Sequence, residues 1–163
     1  MEHLWAPWRL EYIKRADEQD ECLFCAAAAN PDDPKRLVVH LGGQAVVLLN
    51  KFPYASGHFM VAPIRHVGSY EELTDEEVLE LHRFASAGMG ALAQLYAPQG
   101  YNVGWNLGRV AGAGVVDHIH LHVVPRWGGD TNFMPALAET KVVNEHLERT
   151  WEKLAAVFRR LTA

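Results

Sequence analysis

Three histidines stand at every second position of DHIHLHVVPRW, residues Asp117 to Trp127: His118, His120 and His122. The whole 163-residue chain holds nine His, so three within five positions is a concentration. Imidazole can ligate a metal, move a proton or act as a nucleophile. Residues Val115 to Val124 are rich in β-branched types, which predicts a strand. Alternation along it puts the three His on one face and Ile119, Leu121 and Val123 on the other, toward the core. At a rise of ~3.3 Å per residue the outer two Cα atoms lie ~13 Å apart. Zinc–nitrogen bonds are only ~2.0–2.1 Å long. Two neighbouring rings could share one metal, but three could do so only under strain. The row therefore reads as divided labour. A merely hydrogen-bonded polar sheet face is the plain alternative, and structure alone seldom needs this pattern.

A nucleophilic imidazole forms phosphoramidates, which break down readily because the ring is a good leaving group. The Gly-rich AGAG turn, Ala111 to Gly114, directly precedes the row. Its backbone N–H groups could cradle a phosphate, although glycines also serve tight hairpins. Histidines beside such a turn suit phosphoryl or nucleotidyl transfer.

The two cysteines, Cys22 and Cys25 in CLFC, are spaced as a metal clip or a redox pair rather than a disulfide framework. No thioredoxin-like βαβ pattern surrounds them. A closed zinc site needs four ligands, and the chain offers His66 in PIRH and the histidine row. His58 follows the turn YASG and could face the site, while His40 and His82 read as ordinary polar positions.

The elements that must position these residues are legible in outline. Asn30 to Arg36 reads as a loop, because Pro, Asp and Asn cluster there. LVVHLGGQAVVLLNKFP gives two β-rich runs around Gly42-Gly43, a hairpin signal. GHFMVAPIRH begins as a strand and is broken by Pro63. Thr74 and Glu77 form a capping box ahead of a helix. Val78, Leu81, Ala85, Met89, Leu92 and Tyr96 then recur at helical spacing. Gly88 and Gly90 weaken this helix, and Pro98 and Gly100 end it. YNVGWNLG is a further strand, and Leu147, Trp151, Leu154, Phe158 and Leu161 stripe a last helix. Strands joined by short turns with one long helix inserted predict an α+β fold. Its antiparallel sheet carries that helix and a C-terminal one.

The composition, 49% hydrophobic and 21% charged, is that of one globular domain over residues 1–163, with a tail from about 128. A net charge of −5 argues against a general nucleic-acid binder. A local site can still be positive enough for a small anionic substrate. No apolar stretch approaches the ~20 residues of a membrane helix, and no signal-peptide pattern opens the chain. Both point to a cytoplasmic protein.

HIHLHVV fits His-x-His-x-His followed by two apolar residues, and the sequence resembles the histidine triad family. LLNKFPYASGHFMVAPIRH resembles the segment that family carries upstream, with an Asn, a Gly-His pair and Pro-x-x-His. WAPWR, WNLGRVAGAG and PRWGGDTNF look like its bacterial branch, similar to diadenosine tetraphosphate phosphorylases and fragile histidine triad hydrolases. The resemblance covers roughly Cys22 to Trp127. It implies a homodimer with one extended sheet and a nucleotide substrate. His120 would attack an α-phosphate and carry a covalent nucleotidyl group, which water or inorganic phosphate then releases. His122 would contact the phosphate or help the leaving group. Cys22, Cys25, His66 and His118 would hold a structural zinc. Asn50 matches a ribose-contacting Asn, and Asn106 a polar position near the phosphates. Gly114-Val115 stands where many relatives carry Gln and then Ser or Thr. Phosphate contacts there, and at Gly112, are left to the backbone.

Three readings follow. The first is an enzyme that splits a dinucleoside polyphosphate or a nucleoside phosphoramidate through His120. The second is a metalloenzyme using metal-bound water on the histidine row. The third is a nucleotide-binding module without catalysis.

Overall fold

The computed structural model describes residues 21–130 and 145–162. Helix α1 (Leu23–Ala29) leads through a short 3₁₀ turn at Pro34–Arg36 to the hairpin of β1 (Val38–Leu41) and β2 (Ala45–Leu49). Strand β3 (Phe59–Pro63) and the long helix α2 (Asp75–Tyr96) follow. Then come β4 (Gly100–Trp105), β5 (Leu121–Arg126) and helix α3 (Leu147–Thr162). The strands form one five-stranded sheet in the order β1-β2-β3-β5-β4, and every neighbouring pair is antiparallel. This is the expected α+β fold.

The sheet is covered on both faces at its centre. Val47, Leu49, Phe59, Val61 and Val123 pack under α2 and α3, against Leu81, Phe84, Leu92, Leu154 and Phe158. The alternate residues Val46, Leu48, Met60 and Ala62 pack under α1, against Phe24 and Ala27. Strands β2 and β3 therefore bury every residue, and both read as unbroken apolar runs rather than alternating ones.

The capping box at the start of α2 is present. Thr74 accepts from the Glu77 N–H, and the Glu77 carboxylate accepts from the Thr74 N–H. The Arg65 guanidinium also donates twice to that carboxylate, both at 2.9 Å. The helix thereby ties to the loop that carries His66. Gly42 and Gly88 are required by space rather than by turn geometry. A Cβ on Gly42 would meet the Phe84 ring, and one on Gly88 would drive into the Phe59 ring.

Three expectations are corrected. The strand expected over 115–124 begins only at Leu121, where β3 and β4 both supply partners, Val61 and Trp105. Beyond Trp105 the partner strand has ended, so residues 115–120 approach the sheet as a loop, with the Ile119 N–H donating to Val67 O. His118 and His120 thus do not share a strand face with His122, although Ile119, Leu121 and Val123 are buried as expected. Val78 and Leu161 fall outside their helices' buried stripes, at 45% and 44% exposure. Val78 turns to a groove beside β4 instead. Finally, the AGAG turn closes on itself. The N–H groups of Ala111 and Ala113 donate to Gly108 O, and that of Gly112 to Arg109 O. WAPWR and residues 131–136 lie outside the described residues.

No helix among the described residues is long and apolar enough to cross a membrane.

Candidate active site and metal centre

The end of β3, the start of β5 and helix α1 converge on the histidine row. Cys22 caps α1 and Cys25 lies in its first turn. His66 follows β3, and His118 lies in the loop just before β5. The ligand atoms of Cys22, Cys25, His66 and His118 all lie within 4.8 Å of one another. His118 Nδ1 is 3.2 Å from Cys22 Sγ, and His66 Nδ1 is 3.3 Å from Cys25 Sγ. The His118 Nε2–H donates to the Pro63 carbonyl at 2.8 Å. That bond fixes the tautomer and leaves the Nδ1 lone pair facing the sulfurs. Two thiols and two imidazole nitrogens are a donor set suited to a tetrahedral ion. Burial opposes ionisation of Cys22, but the adjacent His118 ring and hydrogen bonds from the Cys25 and Phe24 N–H groups outweigh it and lower its pKa to about 6. Burial and the neighbouring Cys22 sulfur raise that of Cys25.

His120 lies one step further along and is 6% exposed. Its Nδ1–H donates to the His118 carbonyl at 2.8 Å, so its lone pair sits on Nε2. Burial lowers its pKa, which favours the neutral ring, the form with a free Nε2 lone pair. The ring meets His122 edge-on, 4.8 Å between centroids.

His122, on β5, is held by a second chain of contacts. The Tyr54 N–H donates to His58 Nδ1 at 3.1 Å. The His58 proton is then on Nε2, which donates to His122 Nδ1 at 3.0 Å. A neutral His122 then carries its own proton on Nε2, 3.3 Å from the Asn106 Nδ2. Both are N–H donors, so in this tautomer the pair is a contact rather than a hydrogen bond, and both donors face the same space. His58 is fully buried. The Asn50 side chain accepts from the Phe52 N–H at 2.8 Å and shapes the turn that brings Tyr54 back over His58. Val115 lines a cleft that adjoins Asn106, together with Gly108, Val116 and Ile119.

The arrangement thus brings together Cys22, Cys25, His66 and His118 in one cluster, and His120, His122, His58 and Asn106 in another. His82 is exposed and apart. His40 is not a simple polar position, because its ring packs on Phe84 and Phe158. Sequence reasoning missed Phe24, whose ring stacks on His120, and Tyr54. Their only signal was aromatic character beside a candidate ligand or turn.

Comparison with known proteins agrees with this geometry. The model of the HIT domain matches residues 32–129. An AP-4-A phosphorylase of Mycobacterium tuberculosis is 38% identical over 98% of this chain and 86% of its own length. An adenosine 5'-monophosphoramidase of Schizosaccharomyces pombe is 34% identical over 64% of this chain and 74% of its own. The crystal structure of a zinc-bound histidine triad family protein from Mycobacterium smegmatis superposes with a TM-score of 0.68 at 25% identity, covering 87% of this chain and 96% of that one. The motif, the fold and these relatives together make this chain a member of the HIT, or histidine triad, family.

Proposed function

We propose that this chain cleaves a dinucleoside polyphosphate, such as diadenosine tetraphosphate, at an α-phosphate through a covalent nucleotidyl intermediate on His120. The observation that carries the chemistry is the fixed tautomer of His120. With Nδ1–H committed to the His118 carbonyl, Nε2 is the nitrogen able to bond to phosphorus. Attack at the α-phosphate breaks the bond to the bridging oxygen and expels a nucleoside polyphosphate. His122 Nε2–H, its ring held by His58, protonates that oxygen or bonds to a non-bridging one, and the Asn106 amide N–H beside it offers a second donor to the same group. A second acceptor then attacks phosphorus and returns Nε2 to its free state. Asn50 and the backbone N–H groups of Gly114 and Val115 fit the binding of ribose and phosphate. Gly112 contributes by shaping the turn, because its N–H is engaged with Arg109.

The acceptor is inorganic phosphate or water. The mycobacterial relative's name, phosphorylase, favours phosphate. Cys22, Cys25, His66 and His118, whose ligand atoms cluster within 4.8 Å, would hold a structural zinc as four protein ligands. When bound, the ion supplies a structural tether between α1, the end of β3 and the histidine row. Two copies join through their sheets as a homodimer.

Incubation with diadenosine tetraphosphate, with and without phosphate, tests this reading. ADP plus ATP formed only with phosphate marks a phosphorylase, and AMP plus ATP a hydrolase. His120→Ala is expected to abolish turnover with the fold intact by circular dichroism. Wild-type activity in that variant removes His120 as nucleophile. A second reading, hydrolysis of a nucleoside phosphoramidate, is favoured by the yeast relative. Release of AMP from adenosine 5'-phosphoramidate, with diadenosine tetraphosphate untouched, would select it.

A further inference from the structure

The CLFC segment brings more to the site than two sulfurs. Its inner residue Phe24 is 1% exposed. The ring lies over His120 with 4.7 Å between centroids and 30° between planes. It also lies 5.0 Å from the His118 ring. On its other side Phe24 packs with Ala27, Val46, Leu48, Met60 and Ala62. His120 is thus held at two points. Phe24 covers its ring face, and the His118 carbonyl takes its Nδ1–H at 2.8 Å. Both holds belong to the candidate metal cluster: Phe24 lies between its two Cys, and His118 is itself in it.

Helix α1 is only seven residues long and has no side-chain cap at its N-terminus. Helices this short are marginal unless tethered. Its tethers are the apolar packing of Phe24 and Ala27 on the sheet and the two cysteines at either side of Phe24.

We propose that Phe24 is a positioning residue for His120, and that through Phe24 and the His118 carbonyl, occupancy of the Cys22/Cys25/His66/His118 site sets the orientation and tautomer of the His120 ring. The importance of this for turnover rests on His120 being the nucleophile. The coupling itself does not.

The test follows the ring nitrogens of His120 by ¹⁵N NMR in the full chain, loaded with zinc and after chelation. In the zinc-loaded wild type the two nitrogens should give the separate signals of a single Nδ1–H tautomer. Chelation should move them toward averaged values while far-UV circular dichroism is kept. Phe24→Leu keeps an apolar side chain and removes the flat ring. It should bind zinc with the same stoichiometry yet show averaged His120 signals even when loaded. Its kcat should fall about 10- to 100-fold, the size expected of a misplaced reacting group, with KM within about twofold. Phe24→Tyr should restore both the signals and kcat.

Loaded Phe24→Leu with wild-type His120 signals overturns the role of Phe24, as does a loss of zinc or of fold in that variant. Wild-type signals that chelation leaves unmoved overturn the metal link. Outright unfolding of the metal-free chain does so too, because the ion would then act on the whole fold rather than through the ring. An active His120→Ala variant defeats the nucleophile reading but leaves the NMR result to stand or fall by itself.

Discussion

At the scale of residues, the histidines differ by what each ring nitrogen meets. His118 gives Nε2–H to Pro63 and turns Nδ1 to sulfur, whereas His120 gives Nδ1–H to a carbonyl and leaves Nε2 for chemistry. A hydrogen-bond chain runs from the Tyr54 N–H through His58 to His122, and the Asn106 amide nitrogen lies 3.3 Å from its far end. His40 meets no such partner. Its ring packs edge-on against Phe84 at 4.8 Å and tilted against Phe158 at 5.1 Å, between β1, α2 and α3. Burial there lowers its pKa, against the pull of the Glu80 carboxylate. The unfolded chain, with a His pKa of about 6.5, then binds the proton more readily than the folded one. The stabilising effect of the neutral ring is complete above that pH and is lost as pH falls below it toward the folded value. Burial lowers the pKa of His120 as well, so the measurement is a difference. Denaturant unfolding of the wild type and of His40→Leu, between about pH 7.5 and pH 5, should show the variant losing less stability. Parallel curves would mean that His40 titrates alike in both states.

At the scale of elements, composition and spacing revealed more of the fold than of the site. The hairpin at Gly42-Gly43, the capping box of Thr74 and Glu77 and the helix end near Pro98 were all legible, because each is a local rule acting on a few adjacent residues. The start of β5 was not. β-Branched content marked Val115 as strand, but strand pairing ends where β4 ends, at Trp105, and that is a property of a distant segment. The four-ligand cluster followed from a resemblance. Phe24 over His120 could not be read at all, since the two lie 96 positions apart. The glycines of α2 show the same limit. By propensity Gly88→Ala should stabilise a helix interior by about 1 kcal/mol. Here the added methyl enters a wholly buried Phe59 ring, and overpacking a core costs about 1–3 kcal/mol. The packing cost should win, leaving a net loss of up to about 2 kcal/mol. Guanidinium unfolding checks the sign. Combining Gly88→Ala with Phe59→Leu should give less destabilisation than the sum of the two, because they share one space. Additive losses would place the strain elsewhere.

At the scale of the whole molecule, the two edges of the sheet are treated differently. The β1 edge is closed by α3, whose Trp151 Nε1–H donates to Val38 O at 2.6 Å. The β4 edge lies at the other end of the sheet, with Asn102, Val103 and Gly104 exposed. No described element of the chain pairs with it. Beside it runs an apolar groove lined by Tyr70, Val78, Val103 and Trp105. An uncovered edge strand with apolar neighbours is a template for another strand, and a second copy of β4 fits it under a two-fold axis. Two five-stranded sheets would then join into one, and the groove of each copy would be covered by the other. Sedimentation equilibrium at micromolar concentration should therefore give twice the chain mass of 18.2 kDa. Val103→Lys places a charge on the edge, the device natural sheets use against pairing. It should yield a monomer with unchanged far-UV circular dichroism, because Val103 is exposed within one copy. A wild type that sediments as a monomer would sink the dimer, and a Val103→Lys variant that stays dimeric would move its interface away from β4.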